Sequence, residues 1–350
     1  MNNITDKCIR KFRNKCILRF KNRKWYWWLY PSFWHSKYIH EKSNQDGKAY
    51  LTAGLNSGAG IGHQMGFWFD GYWLADKWGI EYAHKDFFIN GQHVEPDDRL
   101  IVFQLGKLKI YNTSGAWNKL LRLGIGEKSV NELREQGYKI RMLPLFDPYN
   151  EGEVSAVRQI IKSYHHDKII FQLEVDQGSD VELNYIPIFR EIFWKNRKKD
   201  SLLYCQNDFN IAIHIRRGDV NQTIDNGGRY NGNLYYVTAL KTAYSLISDE
   251  QYKNRKIYVF SEGNEEDFPE FQGKEKVILC ISESAKEAFL HFAYADLTIV
   301  SKSGFSCFGA MLNDGLKLYQ KGMYFRVPDD EKWISLDENG RLWKDMGKIE

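Results

Sequence analysis

With 350 residues, 43% of them hydrophobic and 27% charged, the chain is long enough for two α/β domains and too apolar for a disordered or fibrous protein. A formal net charge of +4 is too small at this length to call for nucleic acid as a partner. The five cysteines Cys8, Cys16, Cys205, Cys280 and Cys307 are odd in number and form no Cys-x-x-Cys pair, which suggests reduced thiols and no zinc site.

The first 44 residues form a basic and aromatic arm. Lys and Arg at 7, 10, 11, 13, 15, 19, 21, 23 and 24 lead into Trp25, Tyr26, Trp27, Trp28, Leu29, Tyr30, Phe33 and Trp34. Two readings stand: the aromatics pack onto the domain that follows, or residues 1–34 make a peripheral contact with an anionic membrane surface. The sequence contains no run of about 18 apolar residues and no secretion-type leader, so the expected compartment is the cytoplasm, with the arm at the inner face of a membrane under the second reading.

Residues 49–53 predict a first strand, 54–62 a glycine-rich turn, and 63–78 a helix, the opening of a Rossmann-like unit. No acidic residue is placed to close a dinucleotide ribose site, so NAD is not inferred. Strands follow near 99–103, 139–143 and 167–174, and helices near 115–136, 151–164 and 182–196, giving an α/β domain over 45–206. The charged break Lys195-Asn196-Arg197-Lys198-Lys199-Asp200 marks the junction. From 207 to 325 the rhythm restarts: strand 211–217, helix 233–247, strands 256–261 and 276–281, helix 285–295, strand 297–301, helix 305–313 and strand 316–320. The segment 326–350, with Trp333 and Trp343, is expected to form a helix that packs back on the first domain.

Chemistry concentrates at strand ends of the second half. Ile211-Ala212-Ile213 runs into His214, Arg216, Arg217, Gly218 and Asp219, so a buried strand delivers two guanidiniums and a permissive glycine, groups that suit a doubly charged phosphate ester. Ser261-Glu262-Gly263 and the stretch Ser301 to Ser306 fall at two further strand ends, and in a parallel sheet all three loops open on one side. Ser303 and Ser306 stand at a helix start, whose N–H groups suit phosphate oxygens.

These residues carry a resemblance. His-Ile-Arg-Arg-Gly-Asp at 214–219 resembles the His-x-Arg-Arg-Gly-Asp hallmark of GDP-fucose-dependent fucosyltransferases, closest to the α-1,2 family. Leu234-Tyr235-Tyr236 with Ala239, Ile257 to Glu262, and Ser303 to Asn313 follow in the family's order, and Gly58 to Met65 is similar to its amino-terminal glycine motif. The resemblance implies a GT-B fold of two Rossmann-like domains facing across a cleft, with an acceptor-side first domain and a nucleotide-sugar-binding second one. It implies Arg216 on the donor β-phosphate with His214, Arg217 and Gly218 beside it. Ser303, Phe305 and Ser306 would complete the nucleotide site, Glu262 would lie near the nucleoside, and Gly60, Gly62 and Gln64 would contact substrate. Cys307 and Phe308 depart from the family's two tryptophans, Glu262-Gly263 from a paired acid, and Ala288 from a common acidic residue.

Breaking the sugar–phosphate bond builds negative charge on the β-phosphate, which fixed guanidiniums stabilise without reorganising. No Asp-x-Asp element is present and two arginines are, so the expectation is transfer without a metal or cofactor; the resemblance implies inversion at the anomeric carbon, with GDP-fucose as the donor substrate and a glycan hydroxyl as the acceptor. The general base is left among His63, Asp70, Asp219 and Asp225, with Asp219 expected rather to lock the arginine loop. Phe67, Trp68, Tyr72 and Trp73 at helical spacing read as core. Another nucleotide sugar on the same fold, or a non-catalytic nucleotide- or glycan-binding protein, stays open.

Overall fold

The computed structural model describes residues 19–20, 23–42, 47–55, 59–89, 100–104, 107–113, 115–174, 183–195, 197, 200–205, 207–223, 228–281 and 283–343. The chain divides into two compact units. Unit 1 comprises Met1–Ser57, Phe67–Phe87 and Gly124–Ser179; unit 2 comprises Gly58–Gly66, Phe88–Leu123 and Asp180–Glu350.

Unit 1 is built on a five-stranded parallel sheet in the order β6-β2-β1-β8-β7. Its strands are β1 (Tyr50–Thr52), β2 (Glu81–His84), β6 (Lys128–Ser129), β7 (Lys139–Met142) and β8 (Ile169–Gln172). Leu51, Ile169, Ile170 and Phe171 are all buried, a continuous apolar run of the kind a strand covered on both faces requires. Helix α1 (Lys24–Tyr38) and α5 (Glu151–Ser163) lie together in this unit. Asn150 caps α5, its Oδ1 accepting from the backbone N–H of Gly152 and Glu153. On α2 (Ile61–Trp78), Phe67, Trp68 and Trp73 are buried, in line with the core reading.

The helix expected over 115–136 is interrupted. It ends as α3 (Gly115–Leu121) and resumes as α4 (Val130–Glu135), because Arg122, Gly124 and Gly126 all take positive φ. Ser129 and Glu132 restart it with reciprocal side-chain-to-backbone bonds.

Unit 2 carries a six-stranded parallel sheet in the order β11-β10-β9-β12-β13-β14. Its strands are β9 (Phe209–Ile215), β10 (Arg255–Ser261), β11 (Val277–Cys280), β12 (Leu297–Ile299), β13 (Leu316–Gln320) and β14 (Trp333–Leu336). Alternation along β9 sorts its side chains between two cores. Ile211, Ile213 and Ile215 pack with Tyr236, Ala239 and Ala243 of α7 (Asn233–Tyr244). Ala212 faces the other way, with Ala288 and Phe292 of α9 (Ala285–Tyr294). The sheet is therefore covered on both faces, an α/β arrangement.

Three segments differ from the sequence reading. Residues 333–336 form β14, parallel to β13 in unit 2, rather than a helix returning to the first domain; Trp333 and Leu336 are buried there. The strand near 99–103 is β4 (Leu100–Gln104), antiparallel to β5 (Lys107–Thr113), which also pairs with β3 (Phe88–Ile89) in unit 2. Residues 183–194, read from the sequence as part of the first domain, lie in unit 2, where α6 (Ile186–Trp194) packs: Phe189 meets Phe308 and the Trp194 indole donates to the Leu312 carbonyl. No helix among the described residues is long and apolar enough to cross a membrane.

Candidate functional site

β9 lies between β10 and β12, so the loop leaving its carboxyl end is flanked by the loops of both neighbours. A cavity of about 580 Å³ opens there, lined by Gly60, Gly62, His63, His214, Arg216, Arg217, Asp219, Glu262, Ser303 and Phe305 together with Trp117 and Tyr324. All of these residues belong to unit 2. Its size is that of a small-molecule pocket. A wider groove of about 930 Å³ runs along α5 in unit 1, but none of the motif residues line it.

Arg216 is gripped as a fork. Its Nε donates to Asp219 Oδ1 at 3.0 Å and its Nη2 to Oδ2 at 2.6 Å, while Nη1 donates to the Lys302 carbonyl at 3.2 Å. The guanidinium side is mostly buried and the carboxylate is 62% exposed, so the pair holds the arginine at the cavity wall with its partner toward solvent. The bonds from Arg216 hold the Asp219 carboxyl below the usual carboxylate range, which makes Asp219 the lock of the loop and a poor base. Gly218 has φ +73°, and a Cβ there would fall 1.6 Å from Glu262 Oε2, so both backbone and neighbour demand glycine.

Arg217 does not form a twin clamp with Arg216. Its Nη2 donates to Asn233 Oδ1 at 2.6 Å and its Nη1 to the Arg216 carbonyl at 2.8 Å, and the guanidinium sits 4.5 Å from the centre of the Tyr230 ring. Asn233 in turn donates to the Asp267 carbonyl and to Glu270. Arg217 thus braces the loop that presents Arg216.

His214 stands below that loop with Nδ1 2.7 Å from Ser301 Oγ and its ring against Phe305 and Phe292. Desolvation, then the Arg216 guanidinium, pushes its pKa down to about 3, so the imidazole is neutral and adds no charge to the cavity. Ser301 Oγ lies 3.4 Å from Ser306 Oγ, which is fully buried and donates to the Ser303 carbonyl. Ser306, expected at the nucleotide, is therefore part of the scaffold. Ser303 takes the N-cap position of α10 (Gly304–Met311) without a side-chain capping bond and lines the cavity, as does Phe305.

The glycine turn meets this helix start directly. A Cβ on Gly62 would lie 2.4 Å from the Phe305 nitrogen and 2.6 Å from the Gly304 carbonyl carbon, whereas one on Gly60 would meet nothing within 4 Å. Gln64, expected to contact substrate, is fully buried instead: Nε2 donates to the carbonyls of Ala59 and Phe88, and Oε1 accepts from the Phe88 N–H. It ties the turn to β3. His63 is exposed and lines the cavity. Asp70 is buried on the stretch of α2 that belongs to unit 1, and Asp225 lies outside the described residues.

Sequence reasoning missed several groups. Ser301 lies inside a stretch already singled out, and Asn233 immediately precedes Leu234-Tyr235-Tyr236, so both carried a signal. Tyr324, which lines the cavity, and Phe325, whose ring would meet a Cβ on Gly304 at 2.6 Å, come from the loop after β13 and carried none. Among the described residues no group of His, Cys, Asp and Glu could hold a metal ion.

No family model and no curated protein matches this chain. Solved structures similar to it include POFUT1 in complex with GDP-fucose, at 8% identity and TM-score 0.43 over 83% of this chain and 98% of that one. An Arabidopsis thaliana FUT1 mutant in complex with GDP matches at 9% identity and TM-score 0.41 over 85% and 74%. The E. coli heptosyltransferase WaaC with ADP-2-deoxy-2-fluoro heptose matches at 9% identity and TM-score 0.36 over 83% and 92%. Likeness at this level carries no inference about activity.

Proposed function

We propose that the chain is a GT-B glycosyltransferase that moves fucose from GDP-fucose to a hydroxyl of a glycan acceptor, with inversion and without a metal, in the manner of the α-1,2 enzymes its motifs resemble. The observation that carries the reading is Arg216. Its guanidinium stands at the end of the central strand, in the wall of a cavity, with its plane set by Asp219 and the Lys302 carbonyl. The guanidinium charge so placed, through N–H groups on Nη1 and Nη2 beyond those bonded to Asp219 and the Lys302 carbonyl, contacts a β-phosphate oxygen and stabilises the charge that grows on it as the sugar leaves. The first turn of α10 borders the same cavity and adds N–H groups without an intrahelical acceptor.

The motif resemblance assigns Glu262, which packs over Gly218, to the nucleoside, and His214 is assigned to support of the loop as a neutral ring. His63 takes the proton of the acceptor hydroxyl, since Asp219 is committed to Arg216. Arg216 supplies the positive charge that a metal would otherwise bring, which motivates metal-independent transfer. The departures at Cys307 and Phe308 are fully buried on α10, so they alter its packing and not the cavity wall.

The test is donor hydrolysis and transfer with a panel of GDP- and UDP-sugars, products being identified by mass spectrometry. Turnover with GDP-fucose alone supports the reading, and turnover only with another sugar replaces the donor. The Arg216–Asp219 ion pair favours a second reading, a protein that binds the nucleotide without turning it over; GDP binding with neither hydrolysis nor transfer selects it.

A further inference from the structure

Helix α1 is apolar on two opposite faces, and the transferase reading uses neither. At 3.6 residues per turn, Trp27, Tyr30, Pro31 and Trp34 fall on one side, while Trp25, Trp28, Leu29 and Phe33 fall on the other. The first set is buried. Trp34 packs 5.1 Å from Tyr164 and 5.9 Å from Phe171, and its indole donates to the Met142 carbonyl. Just beyond the helix, Glu41 pairs with Arg141, so the element is anchored to unit 1 at its end as well as along its length. The second set is between 46% and 78% exposed. Single exposed apolar side chains are ordinary, but three aromatics and a leucine aligned on one rigid face are not.

The charge of the amino-terminal segment is equally one-sided. Residues 1–40 carry ten Lys and Arg and one acid, Asp6, so the other 310 residues hold 39 basic and 44 acidic ones. A chain of nearly neutral total charge thus concentrates its excess of positive charge on the segment that ends in this helix. Arg19 and Arg23 are exposed just before it and Lys37 in its last turn. Indole and phenyl rings settle at headgroup depth in a bilayer, and Lys and Arg beside them are attracted to anionic lipid.

We infer that the outward face of α1 docks on an anionic lipid bilayer, with Trp25, Trp28, Leu29 and Phe33 in the interface and the flanking basic residues on the headgroups. The inward face remains in the core of unit 1, so the two readings of the arm describe the two sides of one helix. Docking of this kind holds the protein at a membrane surface without a spanning segment.

Co-flotation of the full chain with phosphatidylcholine vesicles, with and without about 30% phosphatidylglycerol, tests this. The expected result is binding to the anionic vesicles only, at least tenfold weaker when salt rises from about 0.05 to 0.5 M. Trp28→Ser with Phe33→Ser should lose binding by more than tenfold at unchanged thermal stability, because both side chains are exposed. Arg19→Ser with Arg23→Ser should lose about fivefold per charge. Equal binding to neutral vesicles, or binding that survives Trp28→Ser with Phe33→Ser, would overturn the inference. So would a concentration-dependent dimer that this variant abolishes, with no vesicle binding, which would make a second copy the occupant. GDP binding is measured in parallel and should not change, so the outcome is independent of the transferase reading.

Discussion

Replacing Arg216 by Ala removes the one guanidinium whose fork is fixed at the cavity wall by Asp219 and the Lys302 carbonyl. A charge-assisted hydrogen bond to a diphosphate contributes about 1.5–3 kcal/mol, so GDP should bind roughly 10- to 150-fold more weakly, measured by titration calorimetry. The effect on turnover should be larger, because the contact strengthens as the leaving charge develops; loss of such a donor costs about 10²–10³ in kcat. Asp219 is left without its partner, but at 62% side-chain exposure solvent compensates most of that, and the fold should hold. Arg216→Lys should recover part of the binding and little of the turnover, since a point ammonium cannot reproduce a planar fork. Asp219→Asn should lower turnover more than GDP affinity, as the fork loses its orientation. Wild-type kcat in Arg216→Ala, with the protein folded and saturated with donor, would refute the assignment.

Other outcomes test the neighbouring geometry. Gly62→Ala should abolish donor binding, as its Cβ would lie 2.4 Å from the backbone of Phe305, while Gly60→Ala, with open space around it, should change little; calorimetry with GDP separates them. Gly218→Ala combines a positive φ with the Glu262 clash and should lower the melting temperature as well as activity. His214 stays neutral in the native protein down to about pH 3. The unfolded chain takes up a proton near pH 6.5, so stability should fall as pH drops below that value, by about 1.4 kcal/mol per unit. Urea titrations between pH 7 and 5 should show this slope in the wild type and a flatter one in His214→Gln. Glu127 behaves in the opposite sense: burial raises its carboxyl to about 7 and its Oε2 has no hydrogen-bond partner. The unfolded carboxyl ionises first, so stability should fall as pH rises from 4.5 to 7, by up to about 3 kcal/mol, and Glu127→Gln should be stabilising at pH 8 and close to neutral at pH 4.

Much of this architecture is legible locally. The apolar run of β9, the Ser284 and Glu287 pair that starts α9, and the stripe of Ala288, Phe289 and Phe292 state their structure within a few residues, because strand alternation and helix capping depend on near neighbours. The residues grouped at strand ends, His214 to Asp219, Glu262 and Ser303, share one cavity because parallel strands bring their carboxyl ends to one edge. The failures are long-range. Trp333 and Leu336 are as consistent with a helix face as with a strand, and pairing with β13 decides for the strand. Gln64 looks like a ligand contact until Phe88, 24 residues away, uses both ends of its amide.

By itself the sequence determined which groups the site has at its disposal: two arginines after a buried strand, glycines where the chain must turn closely, and serines at a helix start. Those follow from covalent order and from periodicities of two and 3.6 residues. Only the tertiary structure decided how the groups are used. Arg216 faces the cavity while Arg217 turns to Asn233 and Tyr230, Asp219 spends its charge on Arg216, and Ser306 is sealed beneath Ser301. The physical reason is that a guanidinium, a carboxylate or a hydroxyl satisfies whichever complementary partner lies within about 3 Å, and folding brings those partners from distant parts of the chain.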